Sequence, residues 1–302
     1  MNRASPLPCA IRRIVHPTDF SHGSEVAFAH ALKLAAGLHA TLDIVHVDAH
    51  PETLRDSDFP SVHDTLIRWG LLSEGSHRKD VAGVGVRVHK SGPVGRDAVR
   101  GLLRYLGQHP AELIVLATHR RHGLARLLHQ HIGEQVLELA RIPTLFIPYN
   151  VGGFVDLQHG SVSLDRVVLP VARQPNPQPT VDTLSTILHS LGDVSPTTTV
   201  CHFGDEEAGA PMLNYPHNQN WQWEWLIREG EPVESILEVC EQKSADLVAM
   251  TTDGHHGFLD ALRGTTTERV LHHAPCPVLV VPASPVSAED SVWSSRIAGQ
   301  RV

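Results

Sequence analysis

The sequence predicts an α/β protein built from two tandem doubly wound (Rossmann-like) domains, each a five-stranded parallel sheet with helices on both faces and the two related by a pseudo-twofold. Three observations predict it. Short, near-continuously apolar runs alternate with stretches of helical period, the pattern of parallel strands buried on both faces. The same series of elements occurs twice along the 302 residues. Finally, "RHGLARLLHQHIGEQVLELARIPTLFIP", ending at Pro148, aligns without a gap over 28 residues with "HHGFLDALRGTTTERVLHHAPCPVLVVP", ending at Pro282.

Taken in order, the first strands are "IRRIVHPTDFS" and "LDRVVLPVARQ", followed by the helical stretches "SEVAFAHALKLAAGLHA" and "TVDTLSTILHSLGDV". Short β-branched runs, "TLDIVHVDA" and "TTTVCHF", read as second strands. "VRVHKSG" and "WEWLIREG" read as third strands, followed by the amphipathic helices "GRDAVRGLLRYLGQHP" and "PVESILEVCEQKSA". The fourth strands are "AELIVLATH" and "ADLVAMTTD", and one more helix leads to the last strands, "IPTLFIP" and "CPVLVVP".

The register locates an insertion. At an offset of 134, His122 meets His256, Glu134 meets Glu268 and Pro143 meets Pro277, whereas the first strands align at 153, Pro17 with Pro170. The first copy therefore carries about 19 extra residues, assigned to 49–82, where "DFPSVHDTLIRWGLL" could form an inserted helix or lid. "YNVGGFVDLQHGSVS" reads as the linker, giving a first domain over 1–154 and a second over 155–302.

Composition narrows the function classes. A net charge of −8 argues against nucleic acid as an electrostatic partner. No apolar run approaches the roughly 20 residues that span a bilayer, and the N-terminus has no apolar signal core, so a cytoplasmic location without membrane contact is the expectation. Cys9, Cys201, Cys240 and Cys276 show no metal or redox spacing and read as isolated thiols. The 22 histidines make net charge sensitive to pH between about 5 and 8.

The chemistry concentrates in "TTDGHHGFLDALRGTTTERV", residues 251–270. In a doubly wound sheet, ligands bind beyond the carboxyl ends of the strands where strand order reverses, and this loop follows a fourth strand. Gly254 lets backbone approach an anion, and Gly264 precedes Thr265, Thr266 and Thr267 at a helix start, where free N–H groups and a partial positive charge favour phosphate. The same residues also describe an ordinary capped turn.

With "HPTDFS", the glycine loop, "ERVLHHAPCPVLVVP" and "EQVLELARIPTLFIP" in view, the chain resembles a tandem universal stress protein. Nucleotide-binding members of that family carry G-x2-G-x9-G-(S/T) and an Asp at the end of the first strand, which contacts adenine. The resemblance places Gly254, Gly264 and Thr265 on that motif, with Thr251 where its first glycine would be and Ala172 where the Asp would be. The first copy keeps the acid, Asp19, as a remnant but reads Ala117, Arg120, Gln130 and His131 at the four loop positions. What the resemblance implies is ATP or AMP, with Mg2+ as an accompanying ion, in the second copy, against Pro170, Val171, Ala172, Met250, Thr251, Asp253 and the glycine–threonine loop. It implies little or no turnover, at most slow ATP hydrolysis; an interaction module that has lost nucleotide binding is the alternative. It also implies pairing of the two copies inside the chain through 143–148 and 277–282, with a homodimer as a further partner.

Other groupings are weaker. Asp19, His16, His46, Asp48, His119 and His122 lie near first-copy strand ends and could bind zinc, although no helical spacing enforces a cluster. His272 and His273 fall at a helix C-terminus, where a protonated ring favours the dipole. Ser21 and His22 beside Asp19 lack any nucleophile-elbow context. Trp221, Trp223 and Trp225 alternate on one strand face and read as packing residues.

Overall fold

The computed structural model describes residues 10–118, 132–149, 151–192, 194–203, 211–216, 221–253 and 265–283. The first half runs β1 (Arg13–Pro17), α1 (His22–Leu38), β2 (Thr41–Val45), α2 (Val62–Arg68), β3 (Arg87–Ser91), α3 (Ala98–Gln108), β4 (Leu113–Thr118), α4 (Ile132–Ala140) and β5 (Thr144–Pro148). The second runs β6 (Arg166–Val171), α5 (Gln178–Ser190), β7 (Thr197–Phe203), β8 (Gln222–Arg228), α6 (Pro232–Lys243), β9 (Leu247–Thr252), α7 (Thr266–His273) and β10 (Val278–Pro282).

All ten strands form one sheet, ordered β3-β2-β1-β4-β5-β10-β9-β6-β7-β8. Within each half every pairing is parallel. At the centre β5 runs antiparallel to β10, with Leu145 opposite Leu279. Strand order therefore reverses twice, between β1 and β4 and again between β6 and β9, and each reversal opens a crevice at the carboxyl ends.

Local chemistry sets the helix ends. Ser21 caps α1 by accepting from the Ser24 N–H, and His39 closes it in the left-handed region at φ 52°. Thr265 caps α7 by accepting from the Glu268 N–H at 3.2 Å. Apolar side chains then fill two layers. One holds α1 and α5, where Leu32, Leu34, Leu184 and Ile187 are buried. At Gly37 a Cβ would run into the Ser190 carbonyl oxygen, so glycine there lets α1 and α5 close across the two halves. The other layer holds α3, α4, α6 and α7 through Leu102, Leu137, Ile236 and Val270. Truncating one of these leucines to Ala removes about 2–5 kcal/mol.

The halves differ where β2 joins β3. Residues 46–86 there carry α2 and three short 3-10 turns, whereas the shorter stretch 204–221 joins β7 to β8. The segment that follows β5 is fastened to the first half. Trp69, after α2, donates its indole N–H to the Leu157 carbonyl at 3.1 Å. The buried His30 of α1 donates Nδ1–H to the Val26 carbonyl at 2.8 Å, and its Nε2 accepts the N–H groups of Phe154 and Val155 at 3.0 and 3.2 Å. That geometry requires a neutral ring, and burial lowers its pKa to about 4.

A second polar knot lies inside β2. Asp43 is fully buried, accepts from Arg13 Nη1 at 2.6 Å and from the Tyr105 hydroxyl at 2.8 Å, and has His89 within 3.3 Å. Desolvation and the Asp43 carboxylate both push the Tyr105 hydroxyl pKa upward.

Candidate functional site at the two switch points

Each reversal of strand order holds a cavity. The one in the second half encloses about 320 Å³, within the size range of small-ligand pockets. Pro170 and Val171 at the end of β6, and Ala172 just beyond, form one wall. Met250 and Thr251 of β9, with Asp253 after it, form the second, and Thr265, Thr266 and Thr267 bring the N-terminus of α7 to the third. Nine positions spread over 98 residues of sequence thus border one space, while Gly254 and Gly264 lie outside the described residues.

Two details modify the reading of that loop. Thr251, standing where the family motif has glycine, shares a 2.6 Å hydroxyl–hydroxyl hydrogen bond with Thr180 of α5. Its side chain is thereby engaged with the adjoining helix. Thr265 accepts the Glu268 N–H as the helix cap. The described charges bordering this cavity are both carboxylates, Asp253 and Glu138, with no lysine or arginine among its described lining.

The first-half cavity, about 340 Å³, lies at the ends of β1 and β4 and is bordered by Pro17, Thr18, Asp19, His46, Ala117, Thr118 and Glu134. Asp19 is exposed and tied to its own loop: its Oδ1 accepts the Ser21 N–H at 3.0 Å and the Ser21 hydroxyl at 2.6 Å. His22 pairs instead with Glu25 at 3.3 Å, so Ser21, His22 and Asp19 form no nucleophilic triad. Ala117 borders the cavity, whereas Arg120, Gln130 and His131 lie outside the described residues.

Among the described residues, the first-copy zinc grouping does not converge on one point. His16 is buried within β1, donates Nδ1–H to the Val115 carbonyl at 2.9 Å, and burial lowers its pKa to about 4. It is held inside the sheet, away from a strand-end cluster. His46 Nε2 does come within 3.7 Å of Asp48, and His119 and His122 lie outside the described residues. Of the tryptophans, Trp221 is buried with its ring 4.3 Å from that of Trp223, whereas Trp225 is exposed and donates to the Tyr215 hydroxyl at 2.7 Å.

Sequence reasoning missed two features of these sites. One is a histidine repeated in both halves just after the core of the second strand. His46 donates Nδ1–H to the Thr18 carbonyl at 2.7 Å, and His202 donates to the Val171 carbonyl at 3.1 Å. "IVHV" and "VCHF" carried that signal. The other is that each cavity is completed by the opposite half. His272 and Leu271 of α7 border the first cavity, and Glu138 of α4 borders the second. His272 and Glu138 are equivalent positions at the 134-residue offset. The larger hollow of about 520 Å³ lies elsewhere, between α1 and the inserted segment, and none of the expected nucleotide positions borders it.

The model of the universal stress protein family matches residues 10–148 and 206–282, well over half of the chain. The chain belongs to the universal stress protein family. Over 64 residues it is 49% identical to a universal stress protein of Methanocaldococcus jannaschii, covering 19% of this chain and 38% of that protein. Over 69 residues it is 35% identical to one of Methanothermobacter thermautotrophicus, covering 23% of this chain and 47% of the relative. The chain thus spans less than half the length of these curated relatives. Among solved structures, a universal stress protein from Archaeoglobus fulgidus superimposes with a TM-score of 0.57 at 17% identity, covering 90% of this chain and 98% of that one. A protein of Pseudomonas aeruginosa described as functionally unknown gives 0.57 at 16% identity, covering 97% and 98%. Both are likenesses of fold. Among the described residues no helix is long and apolar enough to cross a membrane.

Proposed function

We propose that this chain binds an adenine nucleotide, ATP or AMP, in the second-half cavity, as a cytoplasmic stress-response protein with little or no turnover. One observation carries the reading: the ends of β6 and β9 and the threonine-rich start of α7 border a single crevice at the switch point. A helix N-terminus beside hydroxyl donors suits a phosphate, and a wall of Pro170, Val171 and Met250 suits a flat apolar ring. Asp253 and Glu138 are the described carboxylates that would hold Mg2+ brought by a nucleotide. Asp19 then marks the first cavity as the remnant of an equivalent site. On this reading the domains divide as 1–154 and 155–302, and the β5–β10 pairing is the surface through which they associate.

A second reading, an interaction module without nucleotide, is favoured by two residues. Ala172 offers no acid to an adenine, and the Thr251 hydroxyl is already bonded to Thr180. Isothermal titration of the full chain with ATP and AMP separates the two. Saturable binding that Gly264→Val abolishes supports the nucleotide site. Equal binding by wild type and variant overturns the loop assignment, and no binding by wild type favours the interaction module. Sustained turnover with Mg2+ would count against a pure binder.

A further inference from the structure

We propose a transition-metal site of the zinc class joining the two halves, with Glu134, Glu268 and His272 as its ligands. These three are the one set of His, Cys, Asp and Glu side chains among the described residues whose ligand atoms converge, all lying within 4.8 Å of one another. His272 Nε2 already meets Glu134 Oε1 at 2.8 Å. Glu268 and His272 are one helical turn apart on α7, so both project from the same face and can act as a two-point chelate. Glu134 arrives from the first turn of α4, in the other half of the chain.

The repeat explains why the set forms at this place. Glu134 and Glu268 are equivalent positions at the 134-residue offset, and equivalent residues can meet only at the local twofold that relates the halves. The third ligand breaks the symmetry, because the position equivalent to His272 is Glu138, which borders the second cavity instead. One metal per chain is therefore the geometric expectation.

The donor set defines the ion. An imidazole with two carboxylates suits zinc and its borderline neighbours, whereas calcium and magnesium prefer oxygen alone. Bonds of about 2.0–2.2 Å set ligand atoms roughly 3.5 Å apart. The 2.8 Å His272–Glu134 pair therefore opens slightly, Nε2 gives up its shared hydrogen to present a lone pair, and Glu268 closes in. The side chains of His272 and Glu134 are 29% and 16% exposed, partly shielded from water yet reachable from the first cavity, which both border. Three protein ligands leave a fourth position for water or an exchangeable ligand. A dication also neutralises two carboxylates that the fold holds side by side.

The test uses the full chain without nucleotide and Co2+ as the spectroscopic probe. One Co2+ per chain with intense tetrahedral d–d absorption is expected, displaced by Zn2+ but not by excess Mg2+. Glu268→Gln keeps the capping geometry of the α7 start, and His272→Gln can still donate to Glu134. Each should abolish the absorption and weaken binding by roughly 100-fold or more, beyond the loss typical of an outer-shell change. Glu134→Gln should do the same from α4, and His273→Gln, next in sequence but hydrogen-bonded to the Arg269 carbonyl, should change nothing. Zinc should raise the Tm of the wild type and not of these three ligand variants, whose metal-free circular dichroism reports folding. Equal metal binding in wild type and any folded ligand variant, or binding no tighter than that of scattered surface histidines, overturns the site.

Discussion

The two halves follow the same plan but have spent their polar groups differently. The second half keeps the threonine-rich helix start at its cavity and lacks the strand-end acid. The first keeps Asp19 and carries most of the buried polar chemistry: Asp43 in its network, His16 and His30 held neutral, and the inserted segment locked to residues 151–165. At the position of Asp43 the second half has Thr199, also buried. The difference teaches that a sheet of this kind tolerates either solution. It also means that the first half's stability should respond to pH and to polar substitutions that leave the second half nearly indifferent.

The largest effect expected is from Asp43→Ala, which strands the Arg13 guanidinium and the Tyr105 hydroxyl and should cost about 3 kcal/mol or more. Thr199→Val, its counterpart, should cost no more than about 1 kcal/mol. Urea denaturation of both variants checks this; equal losses would erase the distinction between the halves. Acid should act in the same direction. His16 and His30 have folded pKa values of about 4, below the ordinary 6.5, so the unfolded chain binds the extra protons first. Their stabilisation is fully present above 6.5 and is lost as pH falls through about 4. On the order of 3 kcal/mol per ring is at stake at the acid limit. Midpoints measured between pH 7 and 4 should fall, and His30→Gln should flatten the curve; an unchanged pH slope in that variant would rule His30 out.

What was legible beforehand follows from range. Strands such as "LIVLAT" and helix starts such as Ser21 and Thr265 are decided within a few residues, so period and capping chemistry reveal them. The internal repeat extended that reach, because one offset showed that Glu134 and Glu268 share a role in the plan. Repetition could not show that these two residues meet, nor that His272 reaches Glu134 across 138 positions, because convergence is a property of how the halves dock. The anchoring of Leu157 by Trp69, 88 residues away, was hidden for the same reason. His16 misled because strand-end and strand-interior histidines look alike in sequence; only the parallel pairing with β4 puts its ring against Val115.

Restoring what the second half lacks gives the next test. Ala172→Asp recreates the acid that Asp19 supplies in the first copy, at an exposed position where a side chain can be added. A hydrogen bond to adenine worth about 1–3 kcal/mol should tighten ATP or AMP roughly tenfold to a hundredfold. Asp19→Ala should leave binding in the second half unchanged. An Ala172→Asp protein that binds no better than wild type would place the adenine elsewhere.

The smallest effect concerns the residue that each half lends to the other's cavity. Glu138 puts a negative charge where His272 puts an imidazole in the first cavity. If phosphates lie near the α7 N-terminus, Glu138 repels a metal-free nucleotide and assists one that brings Mg2+. Glu138→Gln should therefore tighten AMP measured with a chelator by about two- to fivefold, worth roughly 0.5–1 kcal/mol. The same substitution should reduce the benefit that Mg2+ gives to ATP. Opposite signs for the two ligands would place Glu138 beside the phosphates. No change with either would show that α4 borders the cavity without sensing its charge, leaving the cross-half contribution to the His272 side alone.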